Sequence, residues 1–245
     1  MNFKKYNNLI DLFKEQVQKQ SKDKIFLSNL KNEKKNFSWQ DVEISVLKFA
    51  NEISKIIEKG DRCLLLSENR PEWMISDLSI MLAGGITVPA YTTYVTRDYE
   101  YIINDCNPSI VVVSNDDQYN KIKNICERHI SIKKIFSFEN LSELNNNSFI
   151  NVNTIIEKKS ENITFELKLS AQRSDPACII YTSGTQGNPK GVILSHGGIL
   201  SNCEGGHELL KPILEKETRF LTWLPLSHSY EHTVQFIQIA VGAKV

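Results

Sequence analysis

The sequence predicts an α/β fold: a layered, mostly parallel sheet with flanking helices. Three observations carry this. Short apolar runs alternate with amphipathic stretches at regular intervals. Two of the runs, Cys63–Leu66 and Ile110–Val113, read as a buried strand and a β-branched strand. Helix start and stop residues stand between the runs.

Taken in order, Tyr6–Lys19 puts Leu9, Ile10, Phe13 and Val17 at helical spacing. Ser38-Trp39-Gln40-Asp41 resembles a capping box with Asp in place of Glu. The helix that follows places Val46, Ala50, Ile53 and Ile57 on one face, with Gly60 as its stop. After the Cys63–Leu66 strand, Pro71 suits the first turn of a helix running towards Gly84-Gly85. Ile86–Val88 is the next strand, closed by Pro89, and Thr96 caps a helix through Asp105. Ile110–Val113 is followed by a helix over Asp117–Arg128 and a short strand at Lys134–Phe136. Asn140–Asn153, with its asparagine run, reads as a surface loop. Asn162–Ser174 leads into a second unit, and an apolar strand from Phe220 ends at Pro225.

Composition bounds the function. Lys plus Arg is 29 and Asp plus Glu is 29 in 245 residues, which argues against nucleic acid as a partner. Hydrophobic residues at 41% and charged residues at 24% exclude a disordered or collagen-like chain. Five dispersed cysteines without a CxxC pair argue against a disulfide framework or zinc site and for a reducing compartment. The start MNFKKYNNLIDLFKEQ lacks the pattern of a signal peptide. The most apolar stretch, Leu78–Tyr91, is interrupted by two glycines and a proline, whereas a span needs about 20 apolar residues. A cytoplasmic protein is expected.

Eight of the 11 glycines lie at or after position 184. The densest part is Tyr181-Thr182-Ser183-Gly184-Thr185-Gln186-Gly187-Asn188-Pro189-Lys190-Gly191, entered and left by apolar runs. Glycines let main-chain N–H groups converge on phosphate oxygens, hydroxyls donate to them, and Lys190 adds a point charge. From glycines and hydroxyls alone, a hairpin turn is an equal reading. The pattern is not a Walker A loop, because Lys190 precedes Gly191 and not Ser or Thr.

YTSGTQGNPKG closely resembles the phosphate-binding signature of adenylate-forming enzymes, the acyl-CoA synthetase superfamily, with Gln186 where a second threonine is usual. Gly60–Thr92, with Asn69-Arg70-Pro71-Glu72-Trp73, resembles the first βαβ portion of long-chain fatty acid–CoA ligases. On their own these residues read as a strand, a helix start and a packed helix, with Arg70 and Glu72 a surface or capping pair. FLTWLPLSHSYEH over Phe220–His232 resembles the superfamily segment in which a histidine or aromatic lies by the acyl pocket and the adenylate. His228 matches that position. His232 reads as a partly exposed helix residue, Trp223 and Tyr230 are acyl-channel or core aromatics, Ser195 is an N-cap, and His196 is structural.

The resemblance implies that 1–245 is the N-terminal portion of an adenylating domain, in units of roughly 1–160 and 161–245. It implies activation of a fatty acid by ATP and Mg²⁺ to an acyl-adenylate, then transfer to coenzyme A. Thr182, Ser183, Gly184, Thr185, Gln186, Gly187 and Lys190 would hold the β- and γ-phosphates, Lys190 would also act in catalysis, and His228 would orient the acyl carboxylate. The Tyr-Gly-x-Thr-Glu segment with the Mg²⁺ ligand, a ribose-binding aspartate, a hinge and a lysine-bearing C-terminal domain are expected beyond Val245. No metal ligand is assigned within 1–245, which is expected to be inactive alone and to leave a sheet edge unpaired. Peripheral membrane contact stays open, since long-chain acids partition into lipid. Two alternatives remain: an adenylating enzyme for another carboxylic acid, and a non-catalytic nucleotide-binding descendant.

Overall fold

A computed structural model of the chain describes residues 1–29, 36–142, 149–158, 171–182, 189–214 and 217–245. The first helix, α1 (Leu9–Lys19), is capped by the Asn8 side chain and leads to β1 (Ile25–Leu27). β2 (Phe37–Ser38) pairs antiparallel with β1 and runs directly into α2 (Trp39–Ser54). Here the capping box forms as expected: the Asp41 N–H donates to Ser38 Oγ at 3.1 Å, and Asp41 Oδ2 accepts from the Ser38 N–H at 2.9 Å. Helix α2 ends before Gly60, whose φ of +87° forms the turn into β3 (Arg62–Leu66).

Pro71 opens α3 (Pro71–Leu82), and every residue of that helix is buried. β4 (Ile86–Ala90) continues through Pro89 instead of closing there, because β8 meets β4 in register at Thr87 only. Thr96 is the first residue of α4 (Thr96–Cys106) and not its cap. The cap position is Val95, whose N–H is taken by the Asp98 carboxylate at 3.3 Å. β5 (Ile110–Val113), α5 (Asp116–Cys126) and β6 (Lys134–Ser137) follow within a residue or two of their expected places.

The expected loop over 140–153 is overturned at its far end. β7 (Phe149–Asn151) joins the sheet beside β6, and α6 (Val152–Ile156) starts at once, capped by Asn151. Phe149 and Val152 are buried, which a surface loop would not allow. Most of the 162–174 connection lies outside the described residues. β8 (Pro176–Thr182) and β9 (Lys190–Ser195) are the last strands, followed by α7 (His196–Leu210), capped by Ser195 as expected, and α8 (Ser229–Ala240).

The large sheet has the order β7-β6-β5-β3-β4-β8-β9 and is parallel except for β8 with β9. Side chains alternate across it. Leu64 and Leu66 of β3 pack with Tyr99 and Ile102 of α4 and with Ile122 of α5. Cys63 and Leu65 pack on the opposite face with Phe49 of α2 and Trp73 of α3. A third apolar cluster joins α1, α3, α7 and α8. At one end of the described sheet, β9 exposes Val192 and Ile193.

The expected strand over 220–224 does not form. Just before it, Arg219 and Lys244 form an isolated parallel bridge, and the Phe220 N–H donates to Lys244 O at 2.8 Å. Val245 in turn bridges to β1 through Phe26 and Ser28.

Candidate functional site

The parallel strands β3, β4 and β5 all end at one edge of the sheet, the side on which α/β folds gather ligands. β8 delivers Thr182 and β9 begins at Lys190, and these two residues face each other in register. Ser183, Gly184, Thr185, Gln186 and Gly187 lie outside the described residues. Thr182 and Lys190 are both exposed at the mouth of the segment between them.

One step back from the mouth, Tyr181 faces Gly191. A Cβ on Gly191 would stand 2.9 Å from Ile179 Cγ2 and 3.1 Å from Tyr181 Cζ. Gly191 therefore answers to the Ile179 side chain and to the tyrosine ring laid across it. The Tyr181 hydroxyl donates to Asp105 on α4, anchoring the hairpin to the neighbouring helix. Burial, and then this carboxylate, push the Tyr181 phenol far up, so it stays protonated.

His228 is the N-cap of α8: its Nδ1 accepts the Tyr230 N–H at 3.1 Å, and its ring is exposed. Two tyrosines span the gap from His228 to the hairpin. The Tyr91 ring meets the His228 ring edge-on at 6.5 Å, and the Tyr94 ring meets Tyr91 at 5.2 Å. The Tyr94 hydroxyl donates to Tyr181 O at 3.2 Å, immediately before Thr182. Burial, with Tyr91 and Asp98 adding to it, pushes the Tyr94 phenol up to about 12, so it acts as a donor and not a base. Sequence reasoning missed both tyrosines, because their contact with His228 joins segments far apart in the chain.

Trp223 and Tyr230, open between channel and core, are both exposed, at 73% and 63%, so the core reading falls for each. His232 corrects the expectation of partial exposure. It is buried, with Nε2 at 2.8 Å from Asp77 Oδ2 and Nδ1 at 3.4 Å from Cys178 Sγ. It follows His228 by one helical turn, which turns it inward towards α3 and β8. Arg70 and Glu72 are likewise not a surface pair. Glu72 is buried, Arg70 Nε lies 3.0 Å from its Oε2, and the guanidinium also reaches Glu139 and covers the Phe138 ring. His196 is structural as expected: it is buried, and its Nδ1 accepts the Leu9 N–H at 3.4 Å.

Among the described residues no group of three or more His, Cys, Asp or Glu side chains converges to hold a metal ion. No described helix is long and apolar enough to cross a membrane. The five cysteines are free and buried, and burial first of all pushes the Cys106, Cys126 and Cys203 thiols up to about 12.

The chain is 32% identical over 221 residues to Long chain acyl-CoA synthetase 3 of Arabidopsis thaliana, a match covering 85% of this chain and 33% of that protein. It is 29% identical over 203 residues to Fatty acyl-CoA synthetase A of Dictyostelium discoideum, covering 77% of this chain and 29% of that protein. The chain thus spans about a third of the length of these curated relatives. In fold it is similar to a long-chain-fatty-acid-CoA ligase of Archaeoglobus fulgidus, with a TM-score of 0.80 at 21% identity over 98% of this chain and 47% of that one. It is also similar to the luciferase-like enzyme of the mealworm Zophobas morio, with a TM-score of 0.84 at 16% identity over 100% of this chain and 54% of that one. Residues 13–245 match the family described as AMP-binding enzyme. On that match, which covers nearly the whole chain, the protein belongs to the AMP-binding enzyme family.

Proposed function

We propose that the chain is the N-terminal portion of an AMP-forming fatty acid–CoA ligase. In this reading a fatty carboxylate attacks the α-phosphorus of ATP and pyrophosphate leaves. The coenzyme A thiol then attacks the acyl-adenylate and AMP leaves. The physical task of the first step is to bring two anions together in line. Lys190 places a cation at the phosphate-loop mouth, where it offsets that repulsion and stabilises the leaving pyrophosphate. Thr182 donates at the same mouth, and Ser183, Gly184, Thr185, Gln186 and Gly187 complete the cradle. His228 orients the acyl carboxylate or the adenylate. Since its Nδ1 is occupied by the cap, Nε2 is the nitrogen left to meet a ligand. When bound, Mg²⁺ would supply charge neutralisation on the phosphates.

One observation supports this reading most. His228 and the Thr182–Lys190 mouth stand at one edge of the sheet, joined through Tyr91 and Tyr94. The fatty-acid preference rests on the names of the relatives. The test is pyrophosphate release by the complete protein with ATP and a series of acids from acetate to stearate, with benzoate included. Release that rises with chain length and requires the acid is expected. Release with benzoate or acetate alone would move the assignment to another carboxylic acid, and no acid-dependent release would leave only a nucleotide-binding role.

A further inference from the structure

Asn69 has no part in the reading above, yet it holds the segment that leads into His228. It stands just past the carboxyl end of β3, with its side chain exposed. Its Nδ2 donates to Leu224 O at 2.6 Å and, more weakly, to Thr222 O at 3.4 Å. Its Oδ1 accepts the Leu226 N–H at 2.9 Å. Residues 222, 224 and 226 share one edge of an extended chain, because backbone groups alternate sides with a period of two. One carboxamide therefore does for this segment what a neighbouring strand would do. No described strand pairs with residues 221–226, and Pro225 has no N–H to offer one.

Asn69 is itself held in place from both sides. Its neighbour Glu68 accepts from Gln118 Nε2 at 2.7 Å, which ties it to α5. Its other neighbour, Arg70, is bound to Glu72 and Glu139. The far end of the clamped segment is equally defined. Leu226 and Ser227 are buried, and the His228 N–H donates to Pro225 O at 2.9 Å, so His228 follows the clamp by two residues. The amide thus fixes, from the sheet, the point at which α8 begins and its capping ring is presented.

We propose that Asn69 is a positioning residue for His228: its carboxamide replaces a missing strand along residues 222–226 and sets where the His228 ring meets the reacting acyl group. The proposal rests on the reading of His228 as an acyl-side residue. Because Asn69 is exposed, its replacement removes the clamp without opening the core. In the complete protein, Asn69→Ala should speed amide exchange at Leu226 about tenfold, as expected when a protecting acceptor is lost. The melting temperature should stay near that of the wild type.

The same variant should lower kcat for adenylate formation about tenfold while leaving KM for ATP unchanged, since displaced groups slow chemistry more than remote binding. Asn69→Asp keeps the acceptor for Leu226 but faces two carbonyl oxygens with a carboxylate. It should preserve Leu226 protection less well than Asn and lose kcat similarly. Asn69→Ala combined with His228→Ala should be no slower than His228→Ala alone. Unchanged exchange at Leu226 in Asn69→Ala overturns the clamp. Additive losses in the double variant overturn the link to His228. A His228→Ala enzyme with wild-type kinetics overturns the acyl-side reading and the catalytic purpose of the clamp with it. The exchange rate tells that case apart from failure of the clamp itself.

Discussion

His232 Nε2 lies 2.8 Å from Asp77 Oδ2, with both side chains shut away from water. The Gln235 amide donates to the same carboxylate oxygen at 3.0 Å, and Cys178 stands at the other ring nitrogen. The contact joins α3, β8 and α8, and it does so one helical turn behind His228. A buried ion pair adds little net stability when intact, because desolvation offsets most of the attraction, but half a pair is costly. Asp77→Ala should therefore lose about 3–5 kcal/mol in urea unfolding, whereas Asp77→Leu with His232→Met should stay close to the wild type. A double variant as damaged as the single one would show that the pair is worth more than an apolar filling.

The same pair sets a pH dependence on the alkaline side. Burial alone would lower the His232 pKa, but the Asp77 charge, with Cys178, more than reverses this and holds it well above 6.5. The folded chain therefore binds this proton more tightly than the unfolded chain does. The resulting stability is fully present below about pH 6.5 and is lost as pH rises through the folded value. The stability gap between wild type and His232→Gln, measured by urea midpoints, should narrow as pH is raised. A gap independent of pH would mean that His232 is neutral in the fold.

His196 works in the opposite sense. Burial takes its pKa down from 6.5 to about 4, against the pull of Asp175, Asp77 and Asp11. Its Nδ1 can accept the Leu9 N–H only when unprotonated. Stability from this group is complete above the unfolded value and drains as pH falls towards the folded one. The loss amounts to about 2 kcal/mol between roughly pH 7 and pH 5. His196→Phe should flatten the melting-temperature profile over that interval. An unchanged acid slope would assign it to the carboxylates instead.

Lys190 is the exposed cation that faces Thr182 where β8 ends and β9 begins, and in the proposed function it meets the phosphates. In the complete enzyme Lys190→Ala should cut pyrophosphate release about 10²-fold, the usual cost of a lost preorganised contact. Lys190→Arg should retain part of the rate, since the charge survives while its shape changes. Wild-type turnover in Lys190→Ala would make Lys190 an ordinary exposed lysine.

At the sheet margin, β9 presents Val192 and Ile193 at 45% and 62% exposure. An apolar edge strand invites pairing with another chain. Ile193→Lys should lower light scattering of the 245-residue chain at high concentration without lowering its melting temperature. Equal scattering would place the sticky surface elsewhere.

The parallel core was legible because strands covered on both faces write their burial as local runs, and Leu64–Leu66 and Ile110–Val113 did so between helices that carry their own caps. The helix starts at Ser38, Pro71 and Ser195 were equally local. What escaped was set by distant partners. His232 finds Asp77 across 155 residues, and Asn69 finds Leu224 across the same span. Phe220–Leu224 reads as a strand because four of its five residues are apolar, but Thr222 O and Leu224 O bond to the Asn69 side chain, and Leu221 and Trp223 face solvent. At the candidate site, Thr182 and Lys190 were picked out by their order in the chain, and the structure sets the two in register, while residues 183–187 lie outside the described residues. The tyrosines that bridge the loop to His228 carry no such local sign.

The ring of Tyr181 lying across Gly191 has a consequence for descent. A side chain added at 191 presses first on Ile179 Cγ2 and then on the aromatic opposite, so a trimmed residue at 181 does not by itself make room for one. Position 191 is therefore free to grow only if 179 and 181 shrink together. Sister lineages with a larger residue at 191 should carry smaller ones at both of those positions.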